Sequence, residues 1–298
     1  LTEVNAARFD QAETVLDGYR GVVIFHPIDN LRDEYRRLVS QEANLIKGLD
    51  NLKKLPAETP DGQRILLYAN TGLQADISPG LLHGAEGVGL YRSEIPFMLH
   101  ESFPSEEEQV QIYRKTLEAY SPNPVHMRTL DIGGDKNLPY FVINEDNPFL
   151  GWRGIRFTLD NTSIFISQLR AMLRAGQESN NLRILLPMIG RLDEIDAFYD
   201  ILDEVIGQLK ESGIDVAKPH VGAMIEVPSA AVMLPEICRK VDFISIGSND
   251  FTQYLLAVDR NNPMVSDLFS WLNPAVLRSM GMMVQIAKEN KIPISVCG

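Results

Sequence analysis

From residue 60 onward, short uninterrupted apolar runs alternate with longer stretches whose apolar residues recur every third or fourth position. The runs at 65–69, 87–91, 125–130, 183–188, 221–225, 243–246 and 294–296 read as buried strands. The stretches at 105–119, 164–174, 192–211, 230–241 and 274–290 read as amphipathic helices. Alternation of this kind builds a parallel sheet with crossover helices, and a run this long favours a (β/α)8 barrel over a doubly wound sheet. No glycine-rich nucleotide fingerprint follows the first run, which points the same way. The pattern holds seven strands where a closed barrel needs eight, since an open parallel sheet leaves two unpaired edges. The expectation is therefore an α/β (β/α)8 barrel over 56–298, truncated at its C-terminal end.

Before residue 60 the pattern differs. One strand at 21–25, closed by His26-Pro27, is too little for a core, so 1–30 is expected to be the remnant of an upstream domain. Leu31, Tyr35, Leu38, Glu42, Leu45, Leu49 and Leu52 then follow one another in steps of four and three, the seam of a long helix. Pro56 and Pro60 end it, giving an expected linker helix over 31–55.

Composition narrows the partners. The chain has 298 residues, 45% of them hydrophobic, and a formal net charge of −12. A charge of that sign argues against a nucleic-acid partner, although a few local arginines can still serve an anionic ligand. No apolar run reaches membrane-spanning length, and the two cysteines, Cys238 and Cys297, are too few for a disulfide framework. The expectation is a cytoplasmic protein with no membrane partner.

In such barrels functional residues sit at the C-terminal ends of strands. Here those ends carry Arg92, Arg128, Glu226, Asn249-Asp250 and Cys297. The sixth strand stops at Gly247-Ser248-Asn249-Asp250, and a helical pattern follows. Unpaired N–H groups at a helix start favour an anion. Asp250 adds a ligand for a hard cation, and Arg260 adds a planar donor fork suited to phosphate. Each residue also has a plainer reading. Ser-Asn-Asp is a common capping turn, Arg92 and Arg128 can pair with Glu94 and Asp131, Glu226 can be a helix N-terminal acid, and Cys297 an inert buried thiol. Arg153 lies in a second basic cluster with a route to the same rim, Arg156 reads as scaffold, and His126 as packing.

Several motifs carry a resemblance. Gly-Ala-Glu-Gly-Val-Gly-Leu-Tyr-Arg-Ser-Glu (84–94), Arg-Thr-Leu-Asp-Ile-Gly-Gly-Asp-Lys (128–136), Asn-Pro-Phe-Leu-Gly-Trp-Arg-Gly-Ile-Arg (147–156), Ile-Glu-Val-Pro-Ser-Ala (225–230), Ile-Gly-Ser-Asn-Asp-Phe-Thr-Gln-Tyr (246–254), Ala-Val-Asp-Arg (257–260) and Val-Cys-Gly (296–298) occur in this order. Together they resemble enzyme I of the phosphoenolpyruvate-dependent phosphotransferase system across essentially the whole chain. Glu-Ile-Pro-Phe-Met (94–98) and Asp-Arg-Asn-Asn-Pro (259–263) look like its nitrogen-related branch. The resemblance implies a barrel that binds phosphoenolpyruvate and Mg²⁺, hands the phosphoryl group to a histidine on an upstream domain, and releases pyruvate. It also implies a small histidine phosphocarrier partner, HPr or a nitrogen-type analogue, and a homodimer at full length. Arg92, Arg128 and Arg260 match substrate-binding arginines, Asn249 and Asp250 a phosphate loop, Glu226 and Asp250 metal ligands, and Cys297 the proton donor. No Ser-His-Ala-type motif for a phosphorylated histidine is present, and Ser93, Ser248 and Phe251 replace the commoner Thr, Thr and Leu. The rival readings are a dikinase or phosphoenolpyruvate synthase type of enzyme, and a catalytically idle dimerisation or regulatory module.

Overall fold

A computed structural model describes residues 11–49, 52–53 and 55–298. The chain divides into two compact units, Leu1–Ile65 and Leu66–Gly298.

In the first unit, β1 (Thr14–Asp17) pairs antiparallel with β2 (Val22–Phe25). The Asp17 carboxylate accepts the backbone N–H groups of Tyr19 and Arg20 at 3.0 Å each, which closes the turn between the strands. β1 is an addition to the sequence expectation. α1 spans Asp29–Leu49, and Tyr35, one member of the expected seam, donates its hydroxyl to Asp17 at 2.8 Å. Glu42, the polar member, accepts from the Tyr19 hydroxyl at 2.9 Å. Asp50, Asn51 and Lys54 of the expected linker helix, and residues 1–10, lie outside the described residues.

The second unit is one parallel sheet in sequential order: β3 (Ala69–Thr71), β4 (Val88–Arg92), β5 (Val125–Arg128), β6 (Leu182–Leu186), β7 (His220–Ile225), β8 (Phe243–Gly247) and β9 (Ile294–Cys297). Between them run α2 (Ile77–Leu82), α3 (Glu94–Met98), α4 (Glu106–Tyr120), α5 (Ile155–Asp160), α6 (Thr162–Gly176), α7 (Leu192–Glu211), α8 (Pro228–Val232), α9 (Leu234–Ile237), α10 (Ser248–Leu256) and α11 (Pro274–Glu289). Cα atoms of β4 and β9 come within 8 Å of each other. In a flat sheet, strands that far apart in the order would be separated by about 24 Å. The sheet therefore curls into a nearly closed barrel. Leu90, Leu185, Met224 and Phe243, with Cys297 against them, fill its inside. The main core, with Phe165, Phe198, Leu202, Ile184 and Val221, lies between strands and helices.

Most sequence-predicted strands and helices of this unit fall within two residues of those observed. Two do not. The first strand forms at Ala69–Thr71 rather than 65–69. Ile65, Leu66 and Leu67 are about half exposed, and the Leu67 N–H donates to the Glu86 carboxylate at 2.9 Å instead of joining a ladder. The helix expected over 230–241 breaks into α8 and α9, because Pro235 cannot donate the hydrogen bond that would continue a single helix and sits instead in the first turn of α9.

Between β5 and α5 the chain makes a long excursion over a satellite core of Phe97, Leu130, Ile132, Leu138 and Phe157. Phe103, Tyr140, Phe141 and Trp152 close it with edge-to-face contacts. The excursion begins beside the buried amide of Gln168 on α6. Its oxygen accepts the Leu130 N–H at 2.9 Å, and its NH₂ lies 3.2 Å from Ser93 Oγ and 3.3 Å from the Tyr113 hydroxyl. One side chain thus ties the ends of β4 and β5 to two helices. Gln168→Leu removes the partner of the buried Leu130 N–H and of Ser93 Oγ, while the Tyr113 hydroxyl keeps its bond to Gln109 Oε1. The expected loss is about 2–4 kcal/mol despite the more apolar side chain, read as a Tm drop by calorimetry; an unchanged Tm would contradict the tie.

Candidate active site

Arg92, Arg128, Glu226, Asn249, Asp250, Arg260 and Cys297 all line one cavity of about 160 Å³ at the C-terminal ends of the strands, together with Asn70 and Lys136. Strands end abruptly here because each apolar run gives way to a polar residue that the barrel mouth can solvate or pair.

The plainer ion-pair reading of the arginines is also true. Arg92 Nε lies 3.1 Å from Glu94 Oε1, and Arg128 Nη2 lies 2.5 Å from the same oxygen. Arg128 Nη1 is 3.2 Å from Asp131 Oδ2, and Lys136 pairs with Asp131 too. Glu94 is fully buried; burial pushes its carboxyl up, but Arg128, Lys136 and Arg92 outweigh that and hold it below the usual range. These pairs fix both guanidinium planes. Arg128 Nε has no hydrogen-bond partner among the described residues.

Arg153 forms the centre of the site. It is fully buried and donates to both oxygens of Asp131 (3.2 and 3.3 Å) and both of Asp250 (3.1 and 2.8 Å). Its approach depends on glycine. Gly133 has φ 101°, and a Cβ there would sit 2.4 Å from the Trp152 carbonyl oxygen. Gly154 has φ 58°, and its Cβ would meet the Met188 side chain at 2.9 Å. Burial opposes ionisation of Asp131 and Asp250, yet Arg153 holds both below the usual range, helped by Lys136 and Arg128 at Asp131 and by Arg260 at Asp250. Arg260 Nη1 is 3.2 Å from Asp250 Oδ1 without hydrogen-bond alignment.

Glu226 behaves oppositely. Burial, reinforced by the negative Asp250 and Asp131, pushes its carboxyl up to about 8. Its Oε1 accepts the N–H of Met188 at 2.6 Å. Met188 holds a left-handed φ of 57°, unusual for a residue with a side chain. Oε2 has no hydrogen bond among the described residues and faces Gly247, where a Cβ would come within 2.7 Å. A free carboxylate oxygen beside Asp250, in uncompensated negative potential, suits a hard divalent cation. Two protein carboxylates leave the remaining positions to substrate and water, and no larger cluster of metal-ligating side chains occurs among the described residues.

Burial pushes the Cys297 thiol up, against a 3.3 Å contact with Ser245 Oγ and the nearby Arg128. It therefore stays protonated near neutrality. Arg156 donates to the carbonyls of Leu150 and Gly151, a scaffold role. His126 packs against Phe243 and Tyr68, with Nδ1 2.7 Å from the Val88 carbonyl oxygen. In the sequence Glu94 reads only as a pairing partner and Lys136 only as the end of the 128–136 motif, whereas Arg153 has an expected route to this rim and in the structure lies buried against Asp250. The sequence signal available for Arg153 was the glycine on either side of its hydrogen-bonded stretch, at 151 and 154.

The fold and rim define a barrel that gathers arginines and carboxylates around one small cavity. Residues 47–298 match the family described as PEP-utilising enzyme, PEP-binding domain, and the chain belongs to that family. It is 47% identical to the phosphoenolpyruvate-dependent phosphotransferase system protein of Escherichia coli (strain K12), over 95% of this chain and 38% of that protein. It is 39% identical to the phosphoenolpyruvate-protein phosphotransferase of Listeria monocytogenes, over 99% of this chain and 52% of that protein. A third relative, from Priestia megaterium and of the same description, is 41% identical over 95% of this chain and 50% of its own length. The chain thus spans about half or less of these curated relatives. No helix among the described residues is long and apolar enough to cross a membrane.

A pH test follows from Glu226. Its folded carboxyl titrates near 8 against an ordinary 4.5, so the folded chain holds a proton that the unfolded chain releases. The stability this contributes is fully present below about 4.5 and is lost as pH rises through 8. Glu226→Gln has no such loss. In metal-free buffer the Tm advantage of Glu226→Gln over the native chain should widen between pH 5 and pH 8; a constant gap would contradict the buried, uncompensated carboxyl.

Proposed function

We propose that this chain is the phosphoenolpyruvate-binding part of a phosphoenolpyruvate-protein phosphotransferase, as its relatives are described. The observation that carries this reading is the convergence of Arg92, Arg128, Arg260, Asn249, Asp250, Glu226 and Cys297 on one cavity. The backbone N–H groups opening α10 and the Asn249 amide receive the phosphoryl oxygens, and Arg92 and Arg260 neutralise their charge. Phosphoryl transfer needs charge neutralisation and in-line positioning more than covalent help, and this rim supplies both. The enol P–O bond breaks as an acceptor histidine nitrogen bonds to phosphorus, and the electron pair stays on the enolate oxygen. Arg128, pre-set by Glu94 and Asp131, faces that developing charge. The Cys297 thiol then gives its proton to the enolate methylene carbon, yielding pyruvate, and the thiolate recovers a proton from solvent. Mg²⁺ would be held by Glu226 and Asp250, and when bound it adds positive charge against the phosphoryl and enolate oxygens.

In this reading 56–298 is the barrel domain, the linker 31–55, which holds most of α1, joins it to an upstream domain, and 1–30 is the remnant of that domain. The acceptor histidine lies on that domain, and the phosphoryl group passes to a small histidine phosphocarrier of the HPr or nitrogen type. The working enzyme is a cytoplasmic homodimer, and Glu-Ile-Pro-Phe-Met at 94–98 supports the nitrogen-related branch.

Calorimetric titration tests the binding step. The chain should bind phosphoenolpyruvate with Mg²⁺ dependence, and Arg260→Ala should weaken binding about 10- to 100-fold, the loss of one charge-assisted contact. Absence of Mg²⁺-dependent binding would favour the idle module. With an acceptor domain supplied, Cys297→Ala should slow pyruvate formation about 10²- to 10⁴-fold while leaving phosphoenolpyruvate affinity within threefold; a large affinity loss would make the thiol structural.

A further inference from the structure

Asn249 lies in the first turn of α10 and lines the cavity, and its Oδ1 accepts the indole Nε1–H of Trp271 at 2.9 Å. An indole nitrogen only donates, so the atom facing it must be the amide oxygen. That fixes the orientation of an amide whose two ends are otherwise nearly interchangeable. Nδ2, with its two N–H donors, is turned away from Trp271 and has no hydrogen bond to any described residue. Had the amide turned over, its carbonyl oxygen would face the cavity and repel an anion there.

Trp271 is itself held in place. It lies between a short turn of 3₁₀ helix, Ser266–Leu268, and α11. Phe269 packs edge-on against its ring with centroids 5.7 Å apart. Two residues on, Asn273 caps α11 by accepting the Ala275 N–H at 2.9 Å, and Pro274 follows at the helix start. Trp271 is nonetheless 56% exposed, so core packing does not account for a tryptophan at this position. Its one polar atom is directed at a residue of the cavity wall.

We propose that Trp271 is a positioning residue, which rests on the phosphoenolpyruvate reading above: its indole N–H locks the Asn249 amide so that the NH₂ group faces the phosphoryl oxygens. Trp271 itself touches no substrate. Because it sits outside the buried ion-pair network, its removal should change ligand affinity without loosening the barrel.

Trp271→Phe keeps an aromatic ring and removes the N–H. Mg²⁺-phosphoenolpyruvate and inorganic phosphate are titrated by calorimetry into the native chain, Trp271→Phe, Asn249→Ala and the double variant. Trp271→Phe should bind both ligands about three- to tenfold more weakly, the range for one neutral hydrogen bond. In the Asn249→Ala background the same change should cause no further loss. In ¹⁵N spectra the Trp271 indole resonance should move in Asn249→Ala and on phosphoenolpyruvate addition, while that of Trp152, bonded to Asp160, stays in place. Equal affinities of the native chain and Trp271→Phe, or the same fold loss in both backgrounds, would overturn the positioning role and leave the site intact. A Trp271 resonance unchanged by Asn249→Ala would overturn it even if Trp271→Phe failed to fold. A native chain that binds neither ligand would overturn the phosphoenolpyruvate reading, and the positioning role with it.

Discussion

The rim depends on one buried guanidinium. Arg153, with no exposure, bridges Asp131 at the exit of β5 and Asp250 at the start of α10. Burying these charges carries a desolvation penalty of several kcal/mol per ion, offset only when geometry and hydrogen bonding are good. Here donors and acceptors meet in pairs on both sides, which satisfies that condition. The bridge draws two strand ends far apart in sequence against one another and sets the plane of Asp250. It also leaves Glu226, a neighbour in the same negative field, without an ion-pair partner among the described residues.

Around that centre, pairing and binding are two aspects of one arrangement. Arg92 and Arg128 share the buried Glu94, and Arg128 also reaches Asp131. A guanidinium held this way loses little further freedom when an anion arrives, so its remaining donors act as a preorganised surface. The same logic explains how a chain of net charge −12 can offer an anion site. The acids that hold the arginines are mostly buried beneath the rim, while Arg92 and Arg260 keep part of their surface towards the cavity.

Much of this was legible in the sequence because a parallel barrel converts sequence order into position. An apolar β-branched run that stops at Arg, Glu or Asn-Asp places that residue at the strand's C-terminal end. Arg92, Arg128, Glu226, Asp250 and Cys297 could be gathered on one rim without any knowledge of contacts. The centre was less legible because Arg153 acts through partners remote in sequence, and no local spacing distinguishes a bridging arginine from a surface one. Trp271 is hidden for a similar reason, since its hydrogen bond runs from the loop before α11 back to the first turn of α10. The misplaced first strand has another cause: Ile65, Leu66 and Leu67 have the apolar pattern of a strand, but their backbone bonds go to Ala57 and Glu86 rather than to a ladder, and their side chains remain about half exposed. At 230–241 the apolar period was right, and Pro235 overruled it.

The most direct test of the rim as a substrate site is the crystal structure of the chain grown with phosphoenolpyruvate and Mg²⁺. The expected density places phosphoryl oxygens at the first turn of α10 beside Asn249 and Arg260, the metal between Glu226 and Asp250, and the methylene carbon facing Cys297. Ligand density elsewhere, for example in the pocket beside Lys218 and His220 at the other end of β7, with the rim empty, would contradict it.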